Sequence, residues 1–110
     1  MFNKNIFDTS QKEKEKLKED IEAADVIFVA DLFLEDYIGG AEITTENLIN
    51  FLENNNKKVC KIKSKDVDQN LIQNGIMKHW VFCNFSAMNL NLIPVIIANL
   101  NYSIIEYDYK

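Results

Sequence analysis

The feature that most restricts the fold is the stretch DVIFVADLF, Asp25 to Phe33, whose Val-Ile-Phe-Val-Ala centre shows no polar alternation. So short an apolar run reads as a strand buried on both faces. Strands of that kind belong to parallel sheets, in which crossover helices cover both sides.

The rest of the chain supplies the crossovers. Residues Ser10 to Ala24, SQKEKEKLKEDIEAA, are nearly all helix formers, with Leu17, Ile21 and Ala24 along one face. Ser10 reads as the N-cap of this surface helix, with Glu13 at the capping-box position. Ala41 to Asn54 reads as a second helix with Thr45, Leu48, Ile49 and Leu52 inward, closed by asparagines that tolerate a left-handed cap. KKVCKIK, Lys57 to Lys63, alternates loosely as a half-covered strand toward a sheet edge. A short helix from Asp66 to Asn74 closes at Gly75, and WVFCNF, Trp80 to Phe85, forms the third strand. Asn89 or Asn91 then caps a helix running to about Asn99, with Pro94 in its first turn, where the missing N–H costs nothing. YSIIEY, Tyr102 to Tyr107, makes the fourth strand.

Strict alternation of four strands with helices defines an α/β, Rossmann-like, three-layer domain with a four-stranded parallel sheet, expected in the order 3-2-1-4. Residues 1–110 form one domain, with 1–24 as an N-terminal helical extension and 25–110 as the α/β core.

The formal net charge of -5 argues against nucleic acid as the main partner. From Asp25 to Asn56 there are acids but no lysine, and the chain has no arginine to clamp a phosphate. Cys60 and Cys83 sit in apolar runs outside any C-x-x-C and read as small buried residues of a reducing compartment. The N-terminal residues lack a secretory apolar region, and the longest apolar segment, LNLIPVIIANL, is shorter than the ~20 residues a membrane span needs. A cytoplasmic protein without membrane insertion is expected.

Ligands of such sheets bind beyond the carboxyl ends of the strands at the switch point, here expected between the first and fourth strands. Gly39 and Gly40 lie on the loop that leaves the first strand and opens a helix. Lacking a Cβ, they allow positive φ and a close ligand approach beside unpaired helix N–H groups. A turn that needs glycine for geometry alone is the competing explanation. Neither G-x-G-x-x-G nor G-x-x-x-x-G-K-[ST] is present, so a dinucleotide fingerprint and a phosphate loop are both excluded. Asp31, Glu35, Asp36 and Glu42 crowd the loop with negative charge, which suits sugar hydroxyls better than a polyphosphate.

Read whole, D-x-F-x-x-D-Y-x-G-G-A-E followed by two threonines resembles the opening of the N-terminal domain of GT-B glycosyltransferases, particularly the retaining family 4 group. The match is carried by Asp31, Phe33, Asp36, Tyr37, Gly39, Gly40, Ala41, Glu42 and Thr45, and weaker likenesses extend it over roughly Asp25 to Lys110. The resemblance implies that the glycine loop lines a cleft between two Rossmann-like domains and touches the transferred sugar or the acceptor. It also implies that catalysis needs a C-terminal domain, absent from this sequence, to bind the nucleotide-sugar. The expected partners are therefore a sugar donor or acceptor, and the missing domain or a second copy. No cofactor or metal is expected, nor turnover by this chain alone.

The substrate-binding residues expected on this reading are Gly39, Gly40, Glu42, Asp31, Asp108 and Lys110, the last two at the end of the fourth strand, where a frayed terminus is the alternative. Asn84 and Ser86 are either polar groups at the ligand edge or turn formers, and His79 is a surface or strand-capping residue. One histidine and two apolar-embedded cysteines build no nucleophile constellation. A rival reading is a non-enzymatic flavodoxin-like or receiver-like interaction module, with Asp31, Glu35 and Asp36 as a faint counterpart of a metal pocket.

Overall fold

The structure, a computed structural model, describes residues 4–105. Helix α1 (Lys4–Ala23) leads into β1 (Val26–Ala30), α2 (Gly40–Asn54), β2 (Val59–Lys63), α3 (Gln69–Asn74), β3 (His79–Phe82), α4 (Ile93–Asn99) and β4 (Asn101–Ile104). All pairings are parallel, so the α/β class and the four-stranded sheet are as the sequence predicts.

The strand order is β2-β1-β3-β4, not 3-2-1-4. In the register, Val26 lies between Val59 and His79, and Val29 between Ile62 and Phe82. β3 therefore neighbours β1 directly. The switch point moves with it, from the expected first and fourth strands to the crevice between β1 and β3.

Alternation along β1 divides the interior into two layers. Ile27 and Val29 join Ile21 near the end of α1, Cys60 and Ile62 of β2, Leu71 and Ile72 of α3, Trp80 and Phe82 of β3, and Ile96 of α4. Phe28 and Ala30 face the other way and pack with Phe33, Val81, Cys83 and Ile49 of α2. α1 is the surface helix expected from its thin stripe, with Leu17 and Ile21 inward and Ala24 buried just past its end, but it begins at Lys4. Ser10 therefore lies inside the helix and does not cap it.

Trp80 is fully buried, and its indole N–H donates to the Gly75 carbonyl at 2.8 Å. A Cβ on Gly75 would stand 2.6 Å from the Trp80 ring and 3.0 Å from Ile27. Close packing accounts for this glycine, while Asp68 caps α3 by accepting from Leu71 N–H. Asn56 closes the α2 turn with a φ of 67°, and Pro94 sits in the first turn of α4, both as expected. Asn89 caps a single 3₁₀ turn (Leu90–Leu92) that runs into α4.

Candidate functional site

The loops that leave β1, β2 and β3 converge on Asp31. Continuing the β1–β2 register by one residue sets Asp31 beside Ser64, and the β3 loop brings Ser86 and Ala87 to the same point. Asp31 Oδ1 accepts from Ser64 Oγ and from Ala87 N–H at 3.1 Å. Oδ2 accepts from Ser86 Oγ at 2.6 Å and from Ser86 N–H at 3.2 Å. Burial of the carboxylate opposes its charge, but the hydrogen bonds from Ser64, Ser86 and Ala87 outweigh it and hold its pKa below the usual value. The aspartate thus ties three strand ends together.

The acidic loop that follows is less negative than its own sequence suggests, because β2 turns two lysines toward it. Lys61 Nζ lies 2.8 Å from Glu35 and 3.7 Å from Glu46, and sits 5.5 Å from the centre of the Phe33 ring. Lys63 Nζ lies 2.9 Å from Asp36, whose other oxygen accepts Phe33 N–H at 3.0 Å. Glu35 has its pKa lowered chiefly by the hydrogen bond from Lys61, and Asp36 chiefly by the one from Lys63. Of the apolar loop residues, Phe33 is buried and covers the core, whereas Tyr37 and Ile38 are exposed.

The glycine pair opens α2, as expected from the sequence, but by a different geometry. No glycine has positive φ among the described residues, and Gly39, the N-cap, is extended at φ -136° and ψ 173°. A Cβ on Gly39 would stand 2.6 Å from Glu42 Oε1 and 2.7 Å from the Tyr37 ring, so its absence is what lets the Glu42 carboxylate and the Tyr37 ring close over the backbone. Gly40 is unlike it, because a Cβ there would meet nothing within 4 Å. The first helical bond runs from Ile43 N–H to Gly39 O at 2.9 Å, and no side chain caps the helix. The first N–H groups of α2 lack helical partners, and the Glu42 carboxylate lies beside them.

Of the expected site residues, Gly39, Gly40 and Glu42 are brought together at this helix start. Asp31 is at the end of β1 but engaged by its four donors. Asp108 and Lys110 lie outside the described residues. His79 opens β3, with Nε2 2.9 Å from Ser103 Oγ of β4. The sequence reading missed Ser64, whose signal was its position immediately after β2, matching that of Asp31 after β1.

Among the described residues no group of three or more His, Cys, Asp or Glu side chains is arranged to hold a metal ion, and no helix is long and apolar enough to cross a membrane. Cys60 and Cys83 are buried free thiols, and burial, then the charge of Asp20, pushes the Cys60 pKa up to about 11. It is therefore protonated and unreactive at neutral pH.

Fold and site together define an open, doubly wound α/β domain with an uncapped helix at the carboxyl edge of its sheet. Comparison with protein-family models, curated proteins and solved structures finds no match to this chain.

Proposed function

We propose that the chain is the acceptor-side N-terminal domain of a GT-B-type glycosyltransferase, binding a sugar at the start of α2 and transferring it only together with a donor-binding second domain. The observation that carries this reading is Gly40. The fold asks nothing of a glycine there, since its φ is not positive and a methyl group would enter open space. Glycine also loses more backbone entropy on folding than alanine would, and a close approach from outside would account for its use there.

The chemistry of the place suits a sugar. Backbone N–H groups donate to one hydroxyl oxygen and the Glu42 carboxylate accepts from a neighbouring hydroxyl, a pairing that vicinal diols satisfy. A polyphosphate would meet the same carboxylate repulsively. The test is an amide chemical-shift titration of the isolated chain with monosaccharides and nucleotide-sugars. Shifts confined to Gly39 to Ile43, and weakened at least several-fold in Gly40→Ala, are expected. No response at these amides to any sugar in the panel sinks the reading.

A second reading has one observation in its favour. The order β2-β1-β3-β4 is that of flavodoxin-like and receiver-like sheets. A receiver-like module would bind Mg²⁺ through the acids after β1, and millimolar Mg²⁺ would then shift the amides around Asp31. The four donors on Asp31 weigh against this, and silence in that titration would remove it.

A further inference from the structure

The loop between β1 and α2 is built as a separate piece. Phe33 O accepts from Asp36 N–H at 2.9 Å and from Tyr37 N–H at 3.1 Å, and Asp36 Oδ2 accepts from Phe33 N–H, so the segment closes into a turn of its own. Among the described residues, the backbone hydrogen bonds of Leu32 to Ile38 stay inside that turn, and none joins it to a strand. Two fixed points flank it. On one side Asp31 is held by its four donors, and on the other the extended Gly39 caps α2.

Side chains are what fasten this turn to the body. From Leu32 to Ile38 only Phe33 is buried, and it plugs the layer that holds Phe28, Val81 and Cys83. Period two along β2 sends Cys60 and Ile62 into the opposite layer and leaves Lys61 and Lys63 on the side of α2. There Lys61 meets Glu35 and lies over the Phe33 ring, and Lys63 meets Asp36. Both pairs are partly exposed, and ion pairs of that kind are weak and screened by salt. The fastening is therefore one aromatic plug beneath two latches that ions in solution loosen.

We propose that residues 32–38 form a strap that swings as a unit between Asp31 and Gly39, latched to β2 by Glu35 on Lys61 and by Asp36 on Lys63, and released by salt. Closed, it keeps Tyr37 folded over Gly39 beside Glu42. Open, it withdraws Phe33 from the α2-side layer and leaves Lys61 and Lys63 to solvent. Cys83 then becomes accessible, because it follows β3 at the same edge of the sheet and shares that layer with Phe33, whereas Cys60 lies in the other. The inference does not rest on sugar binding at α2.

Thiol labelling of the folded chain at constant pH, located by peptide mass, tests it. Between ~0.01 M and ~1 M sodium chloride the screening length falls from about 30 Å to about 3 Å. Labelling of Cys83 should speed up several-fold over that range while Cys60 stays protected. At low salt, Lys63→Met should raise the Cys83 rate up to about fivefold, the reach of one exposed pair, and leave the exchange of α2 amides unchanged. Lys61→Met/Lys63→Met and Glu35→Gln/Asp36→Asn remove both latches from opposite sides. Each should label fast at low salt and lose the salt dependence, with an unchanged circular dichroism spectrum. Salt dependence that survives in either double variant overturns the proposal. So does labelling of Cys83 at the rate of Cys60, which means global unfolding, or a Cys83 rate that follows α2 exchange in every variant, which means that the helix opens instead.

Discussion

Asp31 illustrates what a single residue can and cannot reveal in sequence. Its charge and its place after an apolar run mark it as notable, and both features fit a ligand-binding acid as well as a structural one. The partners decide, and Ser64, Ser86 and Ala87 are 33 to 56 residues away. Asp31→Asn would replace one acceptor oxygen by an NH₂ group facing donors. Hydrogen bonds to a charged group are each worth roughly 1.5–3 kcal/mol, so a loss of about 2–3 kcal/mol in urea unfolding is expected. The pH dependence follows from the lowered pKa. The native state keeps Asp31 ionised where the unfolded chain has already taken up a proton. Its contribution is therefore full above the unfolded-state value and disappears as pH falls through the lower, folded-state value. Stability measured from neutral pH downward should fall across that acid window in the unaltered protein, and less steeply in Asp31→Asn. Equal slopes would mean that Asp31 is not the group that titrates. The glycine pair was legible as a strand-to-helix junction, but the reason for each glycine was not. Gly39 makes room for Glu42 and Tyr37, whereas Gly40 has only solvent beside it.

At the scale of elements, the four strands and four α-helices of the described residues were legible from apolar runs, helical spacing and stop signals, but the 3₁₀ turns were not. β3 ends at Phe82, short of the expected Phe85, and α3 begins at Gln69, after the expected Asp66. Strand order was less legible, although the sequence held a clue to it. β1 and β3 are apolar on both faces, while β2 and β4 alternate or carry polar residues, so β1 and β3 belong in the middle and the others at the edges. An order of 3-2-1-4 would have put WVFCNF at an edge, leaving one of its apolar faces poorly covered. The start of α1 was misplaced because Ser10 sits at capping-box spacing, yet the residues before it continue the helix. For α2, the open space beside Gly40 carries an energetic consequence as well as a functional one. Gly40→Ala lowers the entropy of the unfolded chain without a clash in the native one, and should raise stability by about 0.5 kcal/mol. Thermal unfolding checks this, and a destabilised variant would mean that the fold does require the glycine, removing the main support for sugar binding there.

Over the whole molecule the two faces of the sheet are unequally covered. Among the described residues, one layer unites fifteen buried residues from three helices, the segments beside them and three strands, whereas the other unites six and is covered by α2 and by Phe33 of the loop before it. α2 buries only Thr45 and Ile49, while Phe51 on the same helix is 62% exposed. An element held by so few apolar contacts can detach without disrupting the rest, because the opposite layer and the β1–β3 ladder remain intact when it does. Native-state hydrogen exchange should therefore find the amides of α2 exchanging through a partial opening, with a lower free energy and weaker urea dependence than those of β1 and β3. If α2 instead exchanges only with global unfolding, its few contacts are reinforced by something other than the apolar layer, and Lys61 beside Glu35 and Glu46 is the first pair to remove. A loosely held α2 also bears on function. The proposed sugar site is made from its first turn, so ligand that binds there must add protection to α2 amides while leaving β1 and β3 unchanged. That pattern separates binding at the helix start from a general stabilisation of the fold.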